Sequence, residues 1–162
     1  MSTKTPEFKL VKVTQPLWLG NIGPKIEEFR KETNIPGMAY ESLFTYLTNS
    51  IQFGKQLSEF WVVFDGDKVV AFAHWLVRGL PYVGTVLLDV LKSWSKSSEP
   101  VNLLMAEYGR FSKRSRAVVS SAVAIDEKRY RRFKIGANKQ GWEAIKTGEV
   151  NFTMQEKAEV KE

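Results

Sequence analysis

Phe60-Trp61-Val62-Val63-Phe64, Asp65-Gly66-Asp67-Lys68 and Val69-Val70-Ala71-Phe72-Ala73-His74-Trp75-Leu76-Val77 follow one another without interruption near the middle of the chain. The outer stretches are rich in β-branched and aromatic residues, which suit a pleated surface, and the middle one supplies a glycine for a tight reversal. Together they predict a β-hairpin, and the other elements can be placed outward from it.

On the N-terminal side, Phe8–Val13 reads as a first strand. Pro24 suits the first turn of a helix that continues through Ile26 and Phe29 to about Thr33, where Asn34-Ile35-Pro36-Gly37 breaks it. A second helix is expected over Tyr40–Phe53, with Leu43, Phe44, Leu47 and Ile51 at helical spacing and Gly54 closing it. On the C-terminal side a strand is expected over about Tyr82–Val90 and a helix over Pro100–Arg114, striped by Leu103, Leu104, Tyr108 and Phe111. Val118–Ile125 reads as a buried strand, and Asp126 as the cap of a basic helix. Trp142–Ile145 and Val150–Met154 are expected to be the last strands, hinged at Thr147-Gly148. The predicted order is β-α-α-β-β-β-α-β-α-β-β, an α/β fold. It forms one domain over residues 8–154, between a flexible Met1–Glu7 and a charged tail, Gln155–Glu162.

The chain has 162 residues, a suitable size for one core. It contains no cysteine and one histidine, which excludes disulfides, thiolate metal centres, cysteine nucleophiles and any multi-histidine metal site. No metal is therefore expected. The longest apolar stretch, Tyr82–Leu91, is interrupted by Asp89 and too short to span a bilayer, and the first residues lack a signal peptide's apolar core. The expectation is a cytoplasmic protein without membrane association. Walker and dinucleotide spacings and a serine nucleophile elbow are not found. Trp61, Trp75, Trp94 and Trp142 read as core or interface residues, which leaves homo- or hetero-oligomers open.

The predicted order, with the Asp65–Lys68 hairpin, the Pro100–Arg114 helix leading into Val118–Ile125, and the ending Gly141-Trp142 followed by Phe152-Thr153-Met154, resembles the GNAT superfamily of acyl-CoA N-acyltransferases. The resemblance covers about Phe8–Met154. It implies a mixed central sheet with helices on both faces, acetyl-CoA as acyl donor and an amine as acceptor. The backbone of the fourth strand near Leu87, Leu88 and Asp89 would hold the pantetheine. The pyrophosphate would sit at the start of the next helix, where unpaired amides favour anions.

The family's loop at that point runs Arg or Gln, two residues, Gly, one residue, Gly or Ala. Here it is Ser95-Lys96-Ser97-Ser98-Glu99-Pro100, with serine and proline in the glycine places. Lys96, Ser97 and Ser98 are the candidate phosphate contacts, although the same residues also read as a serine cap followed by a first-turn proline. Many family members use a tyrosine four residues before the closing Gly-Phe as general acid; the matching position is Ala137, or Arg132 in the other register, and neither is a phenol. Tyr130 lies off that position and reads as a partly buried aromatic. The resemblance leaves Asp89 and His74 as candidate bases for deprotonating the amine, each with an ordinary hydrogen-bonding role as the competing reading.

The net charge of +6 has a location. Glu107–Lys139 holds ten basic and three acidic residues, so this segment carries +7 and the remainder −1. Two solvated helix faces would account for it, and so would an anionic partner, either the phosphates of CoA or a nucleic-acid backbone. The C-terminal half, through Arg131-Arg132-Phe133, Ile135-Gly136-Ala137 and Phe152-Thr153-Met154, also resembles GNAT-like internal virion proteins of short-tailed phages. That resemblance implies a non-catalytic binding or structural protein located in a phage virion.

Overall fold

A computed structural model describes residues 7–33, 39–78, 85–117, 119–123, 127–146 and 151–156. Its elements are β1 (Phe8–Val13), α1 (Trp18–Thr33), α2 (Tyr40–Gly54), a short 3-10 turn (Lys55–Leu57), β2 (Ser58–Asp65), β3 (Lys68–Arg78), β4 (Thr85–Ser93), α3 (Glu99–Arg114), β5 (Val119–Val123), α4 (Glu127–Lys139), β6 (Trp142–Lys146) and β7 (Asn151–Glu156). The strands form one sheet in the order β1-β2-β3-β4-β5-β7-β6. Backbone clustering gives two compact units: residues 1–74 with 90–100, and residues 75–89 with 101–162.

In the first unit β1 runs antiparallel to β2, from Phe8↔Asp65 to Val13↔Phe60. The reversal between β2 and β3 places Gly66 at φ +58, and Asp67 is not on the positive side, the pattern of a type II′ hairpin with glycine at its first central position. The core takes Leu19, Ile22, Ile26 and Phe29 from α1, Leu43 and Leu47 from α2, and Phe60, Val62 and Phe72 from the hairpin. Each such side chain contributes about 1.5–3 kcal/mol when fully buried. Phe72 meets Phe29 edge-on at 5.4 Å and Phe60 at 5.6 Å.

α1 starts six residues before Pro24 rather than at it. The buried stripe begins at Leu19, so the apolar periodicity extends back past the proline and outweighs it. Pro24 forfeits its bond to the Gly20 carbonyl, but both residues lie on the exposed side, where water can serve that carbonyl.

In the second unit β4 and β5 are parallel, and β7 pairs antiparallel with both β5 and β6. Its core is aromatic: Trp75 packs on Tyr108 at 5.5 Å and on Phe111 at 6.3 Å. β4 runs past its expected end at Val90 to Ser93. β7 continues through Gln155 and Glu156, which the composition had assigned to the tail; the ladder pairs Gln155 with Val119 and Glu156 with Trp142, and backbone bonding does not require apolar side chains. The expected cap at Asp126, the hinge at Thr147-Gly148 and the start of the strand at Tyr82 lie outside the described residues. No helix among the described residues is long and apolar enough to cross a membrane.

Candidate functional site

Among the described residues the β4–β5 ladder runs from Thr85↔Val119 to Leu88↔Ala122, while β4 itself continues for five residues. Of the expected pantetheine contacts, Leu87 and Leu88 lie within that ladder, opposite Ser121 and Ala122, and Asp89 follows its last pair. Leu88 is buried and Leu87 half-buried, whereas Asp89 is exposed. Tyr108 of α3 holds this strand by donating its hydroxyl to the Val86 carbonyl at 3.3 Å.

β4 leads into a loop that the sequence folds by a repeated local device. Serines alternate at 93, 95 and 97, and each hydroxyl accepts the amide two residues further on. Ser93 Oγ takes the Ser95 amide at 3.2 Å, Ser95 Oγ takes the Ser97 amide at 3.1 Å, and Ser97 Oγ takes the Glu99 amide at 3.1 Å. The last of these caps the first turn of α3. Lys96, Ser97 and Ser98 are therefore adjacent and exposed, as expected of an anion-binding loop, but three of the amides around them are already spent and Pro100 has none.

The start of this loop is tied to α1 through Trp94. The Trp94 amide donates to the Val70 carbonyl at 2.9 Å, and its indole N–H donates to Glu32 at 3.0 Å. Lys25 Nζ stands 4.5 Å over the indole ring while pairing with Glu28 at 2.7 Å, and Lys92 is ion-paired with Glu32. The hydrogen bond from Lys92, seconded by that from Trp94, holds the Glu32 carboxyl below the usual carboxylate range against the opposing effect of burial.

His74 is fully buried on β3. Its Nε2 lies 2.7 Å from Ser50 Oγ, Ser50 Oγ lies 3.0 Å from Ser58 Oγ, and Ser58 Oγ donates to the Ser50 carbonyl at 2.8 Å. Each serine has one proton. Ser58 spends its proton on the carbonyl and so accepts from Ser50, which leaves Nε2–H of His74 as the donor to Ser50. The imidazole accordingly works as a donor in a closed chain joining β3, α2 and β2, and it is covered by Phe60 and, edge-on at 5.6 Å, by Tyr46. Gly54 is required here, because a Cβ would stand 2.0 Å from Ser58 Oγ.

Ala137 is buried and Arg132 exposed, so no phenol occupies either matched acid position. Ala137, with Met105, Tyr108, Gly109, Gln140 and Trp142, lines a small recess. The recess carries no carboxylate or imidazole, and its one phenol is committed to Val86, so it offers no acid–base chemistry of its own. Leu87, Leu88 and Asp89 belong to the second unit, and His74, Lys96, Ser97 and Ser98 to the first. Ser93, Glu32 and Ser50 are not singled out in the sequence; Trp94 is read there as a core or interface residue, and it does pack against the core of the first unit. The alternation of three serines was the available signal for the loop; the partners of Trp94 and His74 are too distant along the chain to leave one.

For coenzyme A the fit is divided. β4 supplies extended backbone of the kind that pairs with a pantetheine arm, but the serine-filled loop lacks the amide cradle that a pyrophosphate takes in glycine-rich loops. No cluster able to hold a metal ion occurs among the described residues.

Neither a protein-family model nor a curated protein sequence matches this chain. Solved structures do. The PaiA N-acetyltransferase of Thermoplasma acidophilum, in complex with coenzyme A, is 14% identical with a TM-score of 0.62, over 94% of this chain and 99% of that one. A predicted acetyltransferase of Clostridium acetobutylicum, with acetyl-CoA, is 11% identical with a TM-score of 0.67, over 88% and 94%. A GNAT-family acetyltransferase of Streptococcus pneumoniae is 10% identical with a TM-score of 0.63, over 91% and 98%. At such identities the likeness is one of architecture, and the chain has the fold of the GNAT-family acetyltransferases.

Proposed function

We propose that the chain is an N-acyltransferase that takes its acyl group from acetyl-CoA and passes it to an amine. The run of β4 past Leu88↔Ala122, the last β5 pair among the described residues, into the Ser95–Pro100 loop and the start of α3 carries this reading. The neighbours seen with coenzyme A and acetyl-CoA support it. The thioester supplies an activated acyl carbon. This chain's residues hold the donor along β4, leave Lys96 and the Ser98 hydroxyl to meet its phosphates, and receive the proton that the amine gives up. Asp89, exposed on β4, is the better placed acceptor; His74, fully buried and bonded to Ser50 of α2, holds that helix on the sheet instead.

Thermal melting with acetyl-CoA tests the reading. Ligand at 100 times its Kd stabilises the folded state by about 2.7 kcal/mol, a rise of about 5–10 °C for a chain of this size. No rise at millimolar acetyl-CoA, together with no adduct of that mass in native mass spectrometry, overturns it. One observation favours a second reading, a non-catalytic binding protein on the same fold such as a DNA-associated or phage virion protein: serine hydroxyls take three of the loop amides and Pro100 has none, which leaves fewer backbone donors for a pyrophosphate.

A further inference from the structure

α4 divides its residues cleanly by face. Gly136 and Ala137 are buried, and a Cβ on Gly136 would touch Met105 of α3 at 3.5 Å, so that side is fixed against the second unit. Lys128, Arg131, Arg132, Lys134 and Lys139 are all exposed. The one acidic residue of this helix, Glu127, is in its first turn, 3.9 Å from Arg131. Lys128, Arg132, Lys134 and Lys139 make no hydrogen bond or ion pair among the described residues. At 100° per residue Lys128, Arg132 and Lys139 fall within an arc of about 40°, in a strip about 16 Å long.

We propose that the outer face of α4 docks the phosphate backbone of a nucleic acid, without reading its bases. Three cations without an ion pair among the described residues, spread over about 16 Å, match a repeating anion better than a single phosphate group. A membrane surface fits less well, because an interfacial helix inserts an apolar face and that of α4 is already used for packing; Ile135 is the only large apolar side chain exposed on the helix. This surface is independent of the acyltransferase reading, and either stands if the other falls.

The test is fluorescence anisotropy of the full chain with a labelled 20-base-pair duplex, in DNA and RNA arms, from 50 to 200 mM NaCl. Three phosphate contacts give a slope of about −2.7 in log K against log salt, a loss of about 40-fold across that range. Binding of either duplex with that slope supports the proposal, as does its removal in K128Q/R132Q/K139Q. R132Q alone, which changes one exposed side chain, lowers the slope by about 0.9, and Lys68→Gln on the hairpin leaves it unchanged. The proposal is overturned if neither duplex binds at 50 mM salt, if the slope survives the substitutions, or if phosphatidylserine vesicles bind while both duplexes do not.

Discussion

Replacing Ser50 with alanine isolates what His74 does. The hydroxyl accepts the imidazole N–H at 2.7 Å and donates to Ser58 at 3.0 Å, so the substitution removes both links at once. Because His74 is fully buried, its N–H is left without an acceptor in the interior. An orphaned buried donor costs about 1–3 kcal/mol and the lost bond to Ser58 about 1 more, which gives a destabilisation of about 2–4 kcal/mol. For 162 residues this corresponds to a fall in Tm of about 4–16 °C, read by calorimetry and checked against the urea midpoint. Ser58→Ala should cost less, and the double variant should depart from additivity, since both serines belong to one chain of hydrogen bonds. Gly54→Ala should reproduce the loss by displacing Ser58 Oγ. A cost below about 0.5 kcal/mol for S50A, or strict additivity with S58A, would refute the argued proton order; the first figure is no more than an ordinary surface substitution gives.

Returning glycine to the loop, as S98G/P100G, restores a backbone amide at position 100 and should raise acetyl-CoA affinity about 10-fold or more, the worth of one charge-assisted hydrogen bond; titration calorimetry decides, and unchanged affinity counts against the alignment. Glu32→Gln should lower stability at pH 7 by no more than about 1 kcal/mol, because the pair is partly exposed. The Glu32 carboxyl is held below its usual value near 4.5 in the folded chain, so its contribution is full above that value and disappears as pH falls through the lower folded one; melts from pH 7 to pH 3 should show the gap closing. Arg116→Gly should raise stability by about 1 kcal/mol by relieving the left-handed backbone at φ +52, an increase in Tm of about 2–4 °C.

Local chemistry made much of the architecture legible in the sequence. The Asp-Gly reversal announced the hairpin, and the spacing of Leu104, Tyr108 and Phe111 announced α3, because turns and helix faces are set by neighbours a few residues apart. The serine cap before Pro100 was readable for the same reason, with Ser97 as its capping residue. Pro24 misled because propensity is a weak prior against a buried stripe that starts five residues earlier. The site was less legible. The pairing of β4 with β5 joins segments more than thirty residues apart in sequence, and what His74 does depends on Ser50, 24 residues away. Neither distance leaves a periodicity to read.

The limits of the two compact units fall at 74/75, 89/90 and 100/101, two of them inside strands β3 and β4. Neither unit is one uninterrupted run of sequence. A fragment ending at Pro100 carries all of the first unit but also Trp75, Val86 and Leu88, which are buried in the whole chain, without the later residues of their own unit. A fragment beginning at Trp75 has the converse defect, bearing Val90–Pro100 as a stranded piece. No single cut in the sequence separates one unit from the other, so an exchange of either requires at least two crossovers.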